Sequence, residues 1–219
     1  LRDSPLEGSQ RELVQTATRS SRSLYALIKR LLDFSQLESD QIQFENRPFS
    51  IQEVVETLAE SHCAAAAAKE LGFLLRIDPT APVWLSGDPR RVRGILDCLL
   101  QNAVKFTQAG CVRLQVLPPE PDSGDGIRIH VADTGVGIPA DKQSRIFAAF
   151  EQADTSMTRQ YGGLGIGLAM ALRMARQMGG RISLESDGAT GSKFTLHLPN
   201  AMLCPVPAGQ TPFRARHKG

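Results

Sequence analysis

Tyr161–Ala171, YGGLGIGLAMA, crowds Gly162, Gly163, Gly165 and Gly167 into six positions and runs straight into Leu168, Ala169, Met170, Ala171, Leu172 and Met174. The apolar run predicts a helix, and the glycines predict a loop that feeds its first turn. Without Cβ atoms, backbone approaches a polyphosphate closely, while the helix start directs unpaired N–H groups and the positive end of its dipole at the same place. Such a loop predicts an anion site. The same glycines also suit a tight turn or close helix packing, so the segments around them decide between the two readings.

Composition narrows the choice. With 219 residues, 42% of them hydrophobic, the chain can bury one or two ordinary cores. Twenty-five basic and 23 acidic residues give a formal net charge of +2, which singles out no nucleic-acid partner. Cys63, Cys98, Cys111 and Cys204 have no CxxC spacing and no companion His pair; they read as free thiols in a reducing compartment rather than a zinc site. No apolar run approaches the roughly 20 residues that span a bilayer, and no signal-peptide pattern opens the chain. The expectation is a cytoplasmic fragment without membrane contact. Because Leu1 is not an initiator Met, a membrane anchor upstream stays open.

From about Ser9 to Glu38 neither Pro nor Gly occurs, and apolar positions keep a heptad: Leu13, Leu27 and Phe34 on one line, Ala17, Leu24 and Leu31 on the other. This predicts a long helix with a coiled-coil or four-helix-bundle seam, which one helix cannot bury alone; the plainer alternative is an amphipathic helix packed on its own domain. Residues 39–50 are polar and irregular and mark a domain boundary. Ser50, with Glu53 three residues on, predicts a capped helix to about Lys69. Leu71–Ile77 and Val83–Leu85 read as strands, and Asp88-Pro89 as the start of a helix to about Val104. In that helix Asn102 and Lys105, three apart, share a face, with Thr107 close behind. An amide carbonyl suits Mg²⁺ and a Lys ammonium suits phosphate; a solvated helix end is the plainer reading.

Cys111–Leu117 and Ile127–Ala132 form a predicted hairpin that ends in DTGVGIP, leaving Asp133 at a strand end beside Gly135 and Gly137. An ionised carboxylate only accepts hydrogen bonds, so it takes adenine's amino group and repels guanine's carbonyl. A short helix carrying Ile146, Phe147 and Phe150 comes next, then a polar lid to Gln160. The helix after the glycine loop ends at Gly179-Gly180. Strands Arg181–Ser186 and Lys193–Leu198 close the sheet, and a Pro-rich basic tail follows from Ala201.

Asn102–Thr107, Asp133–Pro139, Ile146–Gln152, Gly162–Gly167 and Gly188–Phe194 stand in the order of the N, G1, F, G2 and G3 boxes of sensor histidine kinases. Over about residues 10–200 the chain resembles the ATP-binding domain of that family, preceded by the second helix of its dimerisation hairpin, where LIKRLLDFSQLESD is similar to the usual helix end. The overall pattern is similar to hybrid kinases, in which such a tail leads to a receiver domain. The resemblance implies an α+β fold: the two-layer α/β sandwich of GHKL (Bergerat) ATPases, a mixed sheet with helices on one face, after a long bundle-forming helix. It implies residues 1–42 as part of the dimerisation and histidine-phosphotransfer hairpin, 43–200 as the catalytic ATP-binding domain and 201–219 as linker or tail.

Carried over residue by residue, it implies Asn102 on Mg²⁺, Lys105 near the phosphates, Asp133 on adenine, and Gly135 and Gly137 shaping the base pocket. Phe147 and Phe150 would anchor the lid, Arg159 would reach phosphate from it, and Gly163, Gly165 and Gly167 would hold the triphosphate of ATP. The implied partners are a second copy, forming a homodimer through the hairpin, and a response regulator or receiver domain. Three departures stand out. None of His62, His130, His197 and His217 has the phosphoacceptor's neighbourhood, so that His is expected upstream of Leu1, in a full-length protein with or without an inner-membrane anchor. Cys98 stands where the family has another Asn. Leu164 and Gln160 replace a Thr and a Lys beside the phosphates. The expected function is the catalytic fragment of a protein-histidine kinase; the alternatives are a degenerate kinase that regulates another, and an ATPase that hydrolyses instead of transferring.

Overall fold

The structure, a computed structural model, describes residues 45–121, 125–149 and 165–205, together with 8, 10–18, 20, 21, 25 and 28. The chain divides into two compact units, Leu1–Ile42 and Gln43–Gly219. In the first, residues 10–18 are helical, and Thr18 Oγ1 donates to the Val14 carbonyl one turn back. Of the heptad positions, Leu13 is 70% exposed and Ala17 is exposed. Leu24, Leu27, Leu31 and Phe34 lie outside the described residues.

The second unit is built on a five-stranded mixed sheet. Its strands are β2 (Gly72–Ile77), β4 (Cys111–Leu117), β5 (Asp125–Asp133), β6 (Arg181–Ser186) and β7 (Ser192–Pro199), in the order β2-β4-β5-β7-β6. Only β2 and β4 run parallel. A separate two-stranded ribbon pairs β1 (Arg47–Ser50) with β3 (Trp84–Gly87). Alternation along β5 buries Ile127, Ile129 and Val131, and in-register neighbours Val112, Leu114, Val116, Leu196 and Leu198 join them on one face. Three helices cover that face: α1 (Ile51–Ala67), α2 (Pro89–Phe106) and α4 (Gly167–Gln177).

Each helix starts where local chemistry directs. Ser50 Oγ accepts from the Glu53 N–H and caps α1. Asp88 Oδ1 accepts from the Arg90 and Arg91 N–H groups, with Pro89 at the first helical position, and caps α2. Helix α2 is the central one, with Val92, Ile95, Leu96, Leu99, Leu100 and Ala103 buried at helical spacing between the sheet, α1 and α4. Burying a single such Leu or Ile is worth about 1.5–3 kcal/mol, so this stripe fixes the position of the helix that carries Asn102 and Lys105.

Two expected boundaries move. The helix expected from Asp141 is a four-residue turn of helix, α3 (Ala140–Gln143), followed by non-helical turns that carry Ile146 and Phe147. The expected tail from Ala201 begins as packed chain. Asn200–Met202 is a 3₁₀ turn, Met202 is buried, Leu203 bridges Leu85, and the Cys204 N–H donates to the Trp84 carbonyl. The sequence cue missed Met202's apolar contact with the β3 ribbon, because Pro-rich composition dominated the window. All four cysteines are free, and no helix among the described residues is long and apolar enough to cross a membrane.

Candidate nucleotide site

Asp133 ends β5 between Val112 on one neighbouring strand and Ser192 on the other. Its Oδ1 accepts from the Gly135 N–H at 2.8 Å and its Oδ2 from the Ser192 hydroxyl. Two donors fix the carboxylate's orientation and leave lone pairs for a further donor. In sequence Ser192 belongs only to the Gly188–Phe194 stretch; the β5–β7 register, which no local motif encodes, sets it opposite Asp133.

The loop after Asp133 is wedged between two walls. A Cβ on Gly135 would stand 2.5 Å from the Phe106 carbonyl oxygen at the end of α2. Gly137 has φ +69°, and a Cβ there would stand 2.7 Å from the Ala189 amide in the β6–β7 turn. Both positions therefore require glycine, the first for close approach and the second also for its left-handed backbone. That turn is held by Asp187, whose carboxylate accepts from the Ala189 and Thr190 N–H groups, each at 2.8 Å, and from the Thr190 hydroxyl. The Thr190 side-chain bond foremost, then the backbone bonds, lower the Asp187 pKa from 3.8 to about 2. Ser186 Oγ receives the Ile138 N–H, and Gln143 Nε2 donates to the Ile138 and Ser186 carbonyls. Neither residue carried a sequence signal.

Asn102 and Lys105 lie on the last turns of α2, both partly exposed. Asn102 Nδ2 faces Cys98 Sγ at 4.0 Å, leaving its carbonyl oxygen for another partner. Lys105 Nζ lies 4.9 Å from the centroid of the Phe106 ring. Lys69, in sequence only the expected end of a helix, donates from Nζ to the Val104 and Lys105 carbonyls at 2.7 and 3.1 Å and so satisfies the end of α2. Thr107 is fully buried and donates to the Ala103 carbonyl; it closes the helix and makes no ligand surface.

Opposite Asn102, α4 begins. Gly165 has φ +68°, Ile166 is the N-cap with no side-chain cap bond, and a Cβ on Gly167 would meet Cys98 Sγ at 3.0 Å. An uncapped helix start beside glycines leaves N–H donors for an anion. Phe147 meets Phe194 edge-to-face, with centroids 6.3 Å apart, which ties the segment after α3 to the sheet core. Phe150, Arg159 and Gly163, like Gln160 and Leu164, lie outside the described residues. Thus α2 has Gly135 against its end and Gly167 one turn before Asn102. Among the described residues no three His, Cys, Asp or Glu side chains gather to hold a metal. A Mg²⁺ here would rest on the Asn102 carbonyl, phosphate oxygens and water, which suits an ion that keeps much of its hydration.

Three of the four histidines have structural partners or settings away from this site. His62 is buried with Nε2 2.8 Å from Asp97 Oδ1, His197 is bonded to Ser183, and His130 lies on β5 facing away from the helices.

The chain is similar over most of its length to known signalling proteins. It is 41% identical over 187 residues to sensor histidine kinase RcsC of Salmonella typhimurium, covering 85% of this chain and 19% of that protein. It is 37% identical over 204 residues to sensor protein GacS of Pseudomonas syringae, covering 92% of this chain and 22% of that one. The chain therefore spans about a fifth of the length of these relatives. Among solved structures, full-length ShkA in complex with AMPPNP superposes with a TM-score of 0.83 at 30% identity, over 94% of this chain and 42% of that one. The profile described as Histidine kinase-, DNA gyrase B-, and HSP90-like ATPase matches residues 87–202, more than half of the chain, and with the α+β sandwich this makes the chain a member of that ATPase family.

Proposed function

We propose that this chain is the ATP-binding catalytic portion of a two-component sensor histidine kinase, and that it delivers the γ-phosphoryl group of ATP to a His on an accompanying bundle helix. The reading is supported above all by the Asp133 carboxylate, oriented by Gly135 and Ser192 at one end of α2, with the uncapped glycine start of α4 packed on the same helix at Cys98. Asp133 accepts the adenine amino group, and Gly135 and Gly137 let the backbone lie against the base. The first-turn N–H groups of α4, with Gly163, Gly165 and Gly167, take the phosphates, and Lys105 adds a positive charge. Arg159 does so from the lid, which Phe147 and Phe150 anchor. Bound Mg²⁺ supplies neutralisation of phosphate charge, with Asn102 as its protein ligand. Phosphoryl transfer asks for positioning and electrostatics more than covalent help, which is what this set of groups offers. Residues 1–42 then contribute one helix of a dimerisation hairpin, a second copy supplies its partner, and a receiver domain accepts the phosphoryl group in the next step.

The test mixes this chain with a polypeptide carrying a phosphoacceptor His on a matching hairpin, and supplies γ-labelled ATP. Acid-labile label on that polypeptide is the expected result; normal nucleotide binding with no label removes the kinase claim. A second reading, a degenerate kinase that regulates a partner kinase, is favoured by Cys98, whose thiol faces both Asn102 and Gly167 and is a poor partner for Mg²⁺ or its waters. Titration with an ATP analogue separates the two, since the active kinase binds it in a Mg²⁺-dependent manner.

A further inference from the structure

Within the second unit, the helices α1, α2 and α4 pack on one face of the five-stranded sheet, and the opposite face is predominantly basic. Strand register brings Arg76, Arg113, Arg128, Lys193 and Arg181 to that face on five adjacent strands, against one strand carboxylate, Glu185 on the edge strand β6, and Asp78 just past β2, beside Arg76. Glu185 pairs with Lys193 at 2.8 Å. Glu120 reaches Arg128 at 3.4 Å from the loop at the far end, where Asp125 begins β5. The net charge of only +2 for the whole chain hides this asymmetry. Burial, then the nearby Lys193 and Arg128, push the His130 imidazole at the middle of the face below its usual value, as expected in a positive field.

We propose that this open sheet face is a docking surface for the acidic surface of a partner protein. Five strands about 4.8 Å apart and some six residues long make a patch roughly 20 Å on a side. That is on the small side of the roughly 800 Å² per partner that a standard interface buries, so the contact is transient and steered by charge. A protein partner fits better than the other polyanions. The face carries no Phe, Tyr or Trp on which bases could stack. Leu74, half exposed, and Leu117 are its large apolar groups, and a pleated sheet offers no amphipathic helix to sink into a bilayer. The surface lies on the opposite side of the sheet from the candidate nucleotide site, so its occupancy is separable from ATP binding.

The whole chain, titrated at low salt with poly-L-glutamate and followed by backbone amide shifts, is expected to respond along β4, β5, β7 and β6. Arg113→Glu combined with Arg181→Glu weakens that binding about tenfold, and added salt does the same, while affinity for a non-hydrolysable ATP analogue stays within about twofold. The neutral pair Arg113→Gln and Arg181→Gln carries the test if charge reversal unfolds the domain. Shifts centred elsewhere, unchanged binding by the variants, or tighter binding to phosphatidylserine vesicles or to a single-stranded RNA oligonucleotide overturn the proposal.

Discussion

Asp133 holds local loop geometry and is the residue proposed to recognise adenine. Its two oxygens accept from the Gly135 N–H and the Ser192 hydroxyl, so a substitution bears on loop geometry as well as on the proposed recognition of adenine. Asp133→Asn keeps the size and one acceptor oxygen but places an amide donor toward the adenine amino group. Losing a charged hydrogen bond of this kind costs about 1.5–3 kcal/mol, or roughly ten- to a hundredfold in ATP-analogue affinity. Calorimetric titration checks it, and an unchanged affinity would leave Asp133 with a purely structural role. Cys98 poses the converse question. It lies between Asn102 and Gly167, where a second amide would add a hard oxygen beside the phosphates. Cys98→Asn is expected to steepen the Mg²⁺ dependence of nucleotide binding, read by titrating the metal at fixed analogue. If the dependence stays flat, the thiol is no handicap and the regulatory-partner reading loses its motive.

At the scale of elements, the loop proposed to hold the base is clamped between the end of α2 and the β6–β7 turn, and each wall can be loosened separately. Gly135→Ala drives a methyl into the Phe106 carbonyl, an obstacle that cannot swing aside as a side chain could. Overpacking of this kind costs about 1–3 kcal/mol, and here it is relieved by lifting the loop, so analogue affinity falls further than the melting temperature. The other wall depends on Asp187. Its pKa falls on folding from 3.8 to about 2, so the carboxylate supports the turn fully above its ordinary value and loses that support as pH drops toward about 2. Asp187→Ala should therefore speed amide exchange at Ala189 and Thr190 at neutral pH, and wild type should match the variant only in acid. The strands and capped helices around these walls were legible because Ser50, Asp88-Pro89 and the period-two runs act locally. Gln143, Ser186 and Ser192 were not, since each acquires its role from a partner distant in sequence, through sheet register or a loop crossing.

Across the whole molecule, the ATPase sandwich was readable before any geometry, because five motifs stand along the chain in the order that family has them. The open basic sheet face was invisible in the same letters: its cations are scattered from Arg76 to Lys193, and only the pairing of five strands collects them. The heptad of the first unit presents the opposite case, a pattern plain in sequence that calls for a partner helix. Leu13 is 70% exposed, and Tyr25 and Ile28 are also exposed. A seam of this kind is buried against a partner helix. The whole chain is therefore expected to associate as its concentration rises, with helical ellipticity rising in parallel. Replacing Leu13 and Leu27 by Lys would place charges on the seam and hold the chain monomeric in sedimentation equilibrium. Analogue affinity should stay the same in that variant, because every residue assigned to the nucleotide lies after Gln43. Association that survives both lysines would assign the contact to the second unit instead, where the sheet face and the β2 edge are the surfaces to test next.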